Sequence, residues 1–422
     1  MIRAFKYPVY ADKETKEKAA ACLALCRELY NAALFERIDC YQKNIKGRVI
    51  PLERKYVKPS RTNSNRKHPL PDTVTWGMTL EEQQAALTHI NQDRPEFAAK
   101  GLSQVFRDAL RRLDKTYKAF FRRGYGFPKF KKPRQFRSFT FPNATGWKFN
   151  GRTLNVVGVG EFRLALRRHE KDQALPKAAE IRTVTIKREN DNWCVIFSCQ
   201  GIAMEPLPEV NREVALHLGV NEFINDTDGN TVENPAFFQA AIRRLRILDR
   251  KIARQQPGSK RREETYRLRR ALHEKVRNRR MNFHCKTALE YARNYDRIIL
   301  PDYEVAKMIK EGKAKPTRKG RLSSRIGDVG WGYFGQRIEN KCEEFYRDFE
   351  KRPVPYIGRT CNNCGYLHQH AVTEVDFKCP LCGYVERRQF NTALNLEDVA
   401  NGDFPINQQT GEADRADANV SR

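Results

Sequence analysis

Val214-Ala215-Leu216-His217-Leu218-Gly219-Val220 is the stretch on which the fold turns. Five of its seven residues are apolar, and such a short run reads as a buried strand. It follows Pro206-Leu207-Pro208 closely. Prolines lack the N–H that a sheet ladder needs, so that tripeptide reads as a linker, and a second domain begins near residue 209.

Upstream of the linker, Gly124, Gly126, Pro128 and Pro133 punctuate the chain before β-type runs at 138–141, 153–157, 161–166, 183–187 and 193–199. Short strands at this spacing predict a small barrel, and residues 2–10 alternate weakly and read as a separate strand. Helical periodicity covers 14–38 and resumes near Leu80. It is strongest over 102–121, where Leu102, Val105, Phe106, Ala109, Leu113, Tyr117 and Phe120 form one apolar stripe opposite a basic face. Residues 41–78 are basic and turn-rich and read as a loop or insertion.

Downstream, two long helices are expected at about 236–256 and 261–293, joined by Gln256-Pro257-Gly258-Ser259. The stretch 243–280 holds 16 Lys/Arg against 4 Asp/Glu, and 100–137 holds 13 against 2. One-signed excess of this kind points to a polyanionic partner. Arg297-Ile298-Ile299-Leu300 reads as a strand, 312–325 as a basic loop, and Trp331, Phe334, Ile338, Cys342 and Phe345 mark another helix. The tail beyond about 400 has a disordered composition.

Cys361-Asn-Asn-Cys364-Gly and Cys379-Pro-Leu-Cys382-Gly are paired C-x2-C knuckles, 14 residues apart. Each offers two thiolates from one turn, and four complete a tetrahedron around Zn²⁺. With all positions filled by protein, one structural zinc is expected on Cys361, Cys364, Cys379 and Cys382. The other seven of the 11 cysteines are scattered, and read as small buried residues rather than a disulfide framework.

The 422 residues carry a formal net charge of +28. A basic groove gains affinity by releasing counterions condensed on phosphates. No run approaches the length of a bilayer span and no signal-peptide pattern opens the chain, so a cytoplasmic, nucleoid-associated protein without membrane contact is expected.

Several segments together resemble the TnpB family of transposon-encoded, RNA-guided nucleases, relatives of the compact type V CRISPR effectors. These are Phe5-Lys6-Tyr7-Pro8, Ala109-Leu110-Arg111-Arg112-Leu113-Asp114, Gly126-Phe127-Pro128-Lys129-Phe130-Lys131, Leu272-His273 with Lys275, Asn278 and Arg280, and Asn391-x-Ala393-x-Asn395 after the knuckles. The resemblance runs from the N-terminus to about residue 396. It implies a multidomain α+β chain. A wedge β-barrel would occupy 1–12 and 125–208, and a helical recognition lobe 13–124. An RNase H-like (RuvC) α/β domain would occupy 209–356 and 386–400, with the zinc ribbon inserted at 357–385 and a disordered tail at 401–422. The implied partners are a guide RNA of the omega-RNA kind and duplex DNA beside a short flanking motif, bound by a monomeric ribonucleoprotein. Tyr30, Asn31 and Gln104 are candidate readers of the flank, with a structural role open for each. Arg111, Lys115, Arg122, Lys129, Lys131, Arg277 and Arg280 are candidate nucleic-acid contacts.

Active members of that family hold two Mg²⁺ on three carboxylates. At the matching positions stand His217, Pro301 (in Pro301-Asp302-Tyr303-Glu304-Val305) and Gln389 (in Arg388-Gln389-Phe390-Asn391). The resulting expectation is a protein with no enzymatic activity and no catalytic Mg²⁺, similar to the nuclease-dead TnpB-like repressors and acting by guide-directed occupancy of promoter DNA. Two alternatives stand beside it: an RNA-guided endonuclease using displaced acids such as Asp302, Glu304 or Glu386, and a basic nucleic-acid-binding protein that needs no guide.

Overall fold

The computed structural model describes residues 2–41, 78–94, 102–123, 126–166, 175–176, 179–190, 192–202, 206–313, 325–353, 356–370, 372 and 374–403. The expected insertion at 41–78, most of the basic loop at 312–325 and the tail from 404 lie outside these residues. The chain divides into two compact units, Met1–Ala203 and Met204–Arg422, and the division falls at the proline-rich linker.

The first unit combines β1 (Arg3–Tyr10), three helices and six further strands. The helices are α1 (Lys13–Tyr41), α2 (Leu80–Asp93) and α3 (Ser103–Arg123). The strands are β2 (Ser138–Phe141), β3 (Trp147–Phe149), β4 (Thr153–Val156), β5 (Gly160–Leu164), β6 (Glu180–Glu189) and β7 (Asn192–Gln200). They form one antiparallel sheet in the order β2-β6-β7-β1-β5-β4-β3. The N-terminal strand is central, with Arg3 to Val9 paired along β7. The expected small barrel is a curled half-barrel. Its end strands β2 and β3 each have one strand neighbour, and helix α3 lies against the free edge of β2 instead. There Arg112 donates to the Ser138 carbonyl at 2.7 Å and to the Thr140 hydroxyl at 2.6 Å, covering an edge that would otherwise present unpaired groups. Most of the apolar stripe read over 102–121 is buried: Leu102, Val105, Phe106, Ala109 and Leu113, with Leu110, share one core with Phe139, Phe141, Phe162 and Phe197, whereas Tyr117 and Phe120 are half-buried.

The second unit is built on a five-stranded sheet in the order β10-β9-β8-β11-β12. Its strands are β8 (Glu213–Leu218), β9 (Glu222–Asp226), β10 (Thr231–Glu233), β11 (Arg297–Pro301) and β12 (Asp348–Arg352). The first three are antiparallel neighbours, whereas β8, β11 and β12 run parallel. Alternation along β8 and β11 sorts side chains to two faces. Val214, Leu216, Leu218, Ile298 and Leu300 face a core shared with α5 (Lys260–Asn294) and α7 (Trp331–Phe345), through Ala288, Tyr291, Phe334 and Ile338. Ala215 and Ile299 face the other way, onto Leu396 of α8 (Arg388–Asn401) and Ile357. Helix α4 (Phe237–Arg254) packs on α5 through Ala241, Leu245 and Val276, and a short α6 (Val305–Lys313) follows β11. Gly219, in the motif that opens this unit, must be glycine, because a Cβ there would lie 2.4 Å from the Glu222 carbonyl oxygen.

Candidate functional site

His217, Pro301 and Gln389 do come together, on the face of the sheet that α8 covers. His217 pairs with Asn225 of β9. The parallel register of β11 on β8 aligns Ile299 with Ala215, and two residues further along both strands it brings Pro301 level with His217. Gln389 lies in the first turn of α8 and accepts a hydrogen bond from the Asn225 amide at 2.7 Å. The Asn225 carbonyl in turn accepts from the Thr231 hydroxyl at 3.1 Å. His217 Nδ1 lies 3.4 Å from the Tyr303 hydroxyl. Burial pushes the imidazole down to about 4, with the Arg388 guanidinium adding to the shift, so the ring is neutral at physiological pH. At the positions where the resemblance implies carboxylates, His217 and Gln389 offer uncharged hydrogen-bonding groups and Pro301 offers none.

Carboxylates do stand nearby, each with its own surroundings. Asp226 is buried and accepts from the Tyr291 hydroxyl at 3.0 Å and from the Asn230 backbone at 2.8 Å. Paired with Leu216, it faces α5, across the sheet from His217. Asp228 accepts from Tyr295 at 2.6 Å and pairs with Arg212. Asp302 is exposed, and its backbone N–H continues the ladder to Arg352. Glu304 is exposed and pairs with Lys307 at 3.1 Å. Glu386, on β14 (Val385–Arg387), lines a cavity with Asn225, Asp226, Asn230 and Phe390. The signal for Asn225, unread in the sequence, was its place on a strand of otherwise buried residues.

The second constellation is the paired knuckles. The ligand sulfurs of Cys361, Cys364, Cys379 and Cys382 all lie within 4.8 Å of one another, with 3.8 Å between Cys361 and Cys382 and 3.5 Å between Cys364 and Cys379. A tetrahedron of Zn–S bonds near 2.3 Å has edges of about 3.8 Å, so the four thiols could hold one zinc ion. The two turns match. Cys361 and Cys379 each donate a backbone N–H at 2.9 Å, to the carbonyls of Tyr366 and Tyr384, and Gly365 and Gly383 both sit at φ +73°. That left-handed conformation is what the glycine after each second cysteine provides. Burial pushes the Cys361 thiol up to about 12, while the Asn363 amide and the Tyr384 N–H pull Cys382 down to about 6.

The remaining candidate contacts divide by environment. Arg111, Lys115 and Arg122 are exposed along α3 at near-helical spacing with Lys118, and Lys129 is exposed beyond it. Tyr30 is buried, its ring 6.0 Å from Phe136. Asn31 uses both ends of its amide on the Lys131 backbone, at 3.1 and 2.8 Å. Gln104 and Lys131 are half-buried. In the second unit Arg277 is exposed and lies 3.9 Å from Glu274, whereas Arg280 pairs at 2.8 Å with Asp328, which is half-buried. Asp328 also accepts from the Phe238 N–H at 3.2 Å, supplying the cap that Ala236 cannot give to α4. Among the described residues no helix is long and apolar enough to cross a membrane.

Three family models match in chain order: a helix-turn-helix domain of the IS605 OrfB type over 1–46, the IS605 OrfB model described as "Probable transposase" over 183–311, and a Cas12f1-like TNB domain over 331–396. The chain is thus similar, in three successive stretches, to transposase models of the IS605 OrfB type and to a Cas12f1-like domain. Two proteins provisionally named as RNA-guided DNA endonucleases align with nearly the whole chain. One, from Streptomyces pristinaespiralis, is 24% identical over 93% of this chain and 88% of its own. The other, InsQ of Escherichia coli strain K12, is 22% identical over 94% of this chain and 91% of its own. A cryo-EM structure of a Cas12f1–sgRNA–target DNA complex has the same fold, with a TM-score of 0.55 at 12% identity, covering 94% of this chain and 98% of that one.

These relatives overturn the expectation that the chain is not an enzyme, because the proteins it aligns with end to end are named as endonucleases. Asp226, Asp302, Glu304 and Glu386 stand on the same elements as His217, Pro301 and Gln389 or on adjoining ones.

Proposed function

We propose that the chain binds a guide RNA and is carried by it to duplex DNA. The observation that supports this best is the alignment over more than nine-tenths of the chain with RNA-guided DNA endonucleases. The charge agrees: +28 overall, with an exposed cationic stripe on α3 and a basic α4–α5 hairpin, suits a phosphate backbone held through counterion release. We read the sheet order β10-β9-β8-β11-β12 as an RNase H-like frame, with α8 across the face that carries His217.

Under the endonuclease reading, metal ions would be held by acids other than those at the three usual positions, and Glu386, which lines a cavity with Asn225, is the candidate we test. Guide-directed occupancy of promoter DNA is a second reading. It is favoured by the neutral His217–Asn225–Gln389 cluster, since a complex that lingers on its target would exclude RNA polymerase.

The test has two steps. RNA copurified with the full chain is sequenced; a fixed scaffold followed by a variable end supports the guide, and a random population overturns it. The purified ribonucleoprotein is then given a matched duplex with Mg²⁺ or Mn²⁺. Cutting that is lost in Glu386→Gln supports the displaced-acid reading. Stable binding without cutting, together with guide-dependent repression of the adjoining transcript in cells, supports occupancy.

A further inference from the structure

The first knuckle is fastened to α8 from inside the metal loop. Asn362, next to Cys361, is half-buried; its backbone N–H donates to Asn391 Oδ1 at 3.0 Å, and its side-chain amide donates to Asn395 Oδ1 at 3.2 Å and to the Asp398 carboxylate. Asn391 and Asn395 are fully buried. Their amides return to the turn before the knuckle, Asn391 to the Thr360 carbonyl at 2.9 Å and Asn395 to the carbonyls of Ile357 at 2.7 Å and Thr360 at 2.8 Å. The side-chain amides of Asn391 and Asn395 are each bonded at both ends inside the protein, and these buried groups would be left unpaired if the knuckle moved.

The same helix begins at Arg388 and carries Gln389 to Asn225. Three successive turns of α8 therefore join two distant features. Gln389 touches the sheet cluster, Asn391 and Asn395 hold the knuckle, and Asp398 closes on Asn362. Zinc bound by Cys361 and Cys364 would fix the conformation of the two residues between them, and Asn362 is one of those two.

We propose that Asn362 is a positioning residue through which zinc occupancy sets the placement of α8, and with it Gln389, against the sheet. The knuckles are then more than a local staple, because loss of the metal frees the loop that α8 is hydrogen-bonded to. The proposal rests on the four thiols holding zinc and is independent of the guide-RNA reading.

Hydrogen exchange on the full chain tests it. In the wild type, removing zinc with a chelator should speed exchange of the α8 amides by about tenfold or more while β8 and β11 stay protected. Asn362→Ala should retain one zinc per chain by elemental analysis, yet exchange fast in α8 with zinc present. Unchanged α8 protection after chelation in the wild type overturns the proposal. So does simultaneous loss of protection in α8, β8 and β11, which would make zinc a support for the whole unit. If Asn362→Ala cannot hold zinc, Asp398→Ala removes one acceptor of the same amide from outside the metal loop. Faster α8 exchange in that variant with zinc bound supports the latch, and wild-type protection overturns it.

Discussion

The Asn225 amide on β9 donates to Gln389 Oε1 on α8 at 2.7 Å, and this bond ties the antiparallel part of the sheet to the helix covering it. Asn225 is buried and also bonded to Thr231, so the link has no solvent alternative. Gln389→Ala should cost about 1–2 kcal/mol in denaturant unfolding, the penalty for an amide left unpaired. Gln389→Glu keeps an acceptor at the same reach beside Arg388 and should cost clearly less. Equal losses in both variants would show that the bond is not what matters.

Zinc should be present at one ion per chain. Cys379→Ala should lower the metal content and unfold the ribbon locally, because β13 (Asp376–Lys378) and β14 have little core beyond Phe377 and the cysteines themselves. The half-barrel of the first unit should stand. Elemental analysis beside limited proteolysis reads both outcomes, and undiminished zinc in the variant would exclude this ligand set.

Acid should destabilise the second unit. His217 and His284 are both held down at about 4, principally by burial. The unfolded chain takes up each proton as pH falls through about 6.5, while the folded chain resists until about 4. The stability present above pH 6.5 is thus lost between those values, at most about 3 kcal/mol per histidine. His217→Asn, neutral throughout, should reduce the drop measured by chemical denaturation between pH 7 and pH 5. A drop of wild-type size would assign the acid sensitivity elsewhere.

Two arginines three residues apart on α5 should behave differently. Arg280→Ala strands the half-buried Asp328 and loosens the start of α4, costing about 1–3 kcal/mol of stability. Arg277→Ala should leave stability nearly unchanged. If Arg277 meets a phosphate, its loss should lower the slope of log affinity against log salt by about one counterion. Thermal melts and RNA binding at several salt concentrations separate the two effects.

Much of this protein was legible in order along the chain. The linker, the long basic helices, the apolar stripe of α3 and the knuckle spacing are local patterns of period and residue type, and local patterns survive without knowledge of partners. Others were missed for physical reasons. Strands β3 and β10 have three residues each, too short for alternation to register. The half-barrel read as a barrel because strand count and spacing do not reveal which edges pair. That edge is closed by Arg112, a residue whose charge marked it for solvent.

The sequence by itself determined the four sulfur ligands and the identities of His217, Pro301 and Gln389, because side-chain chemistry is carried residue by residue. Only the tertiary structure decided that Asn225 stands between His217 and Gln389, that Asp226 turns to the opposite face, and that Asn362 bridges the knuckle to α8. Those relationships depend on strand register and helix placement, where a shift of one residue moves a side chain to the other side of the sheet.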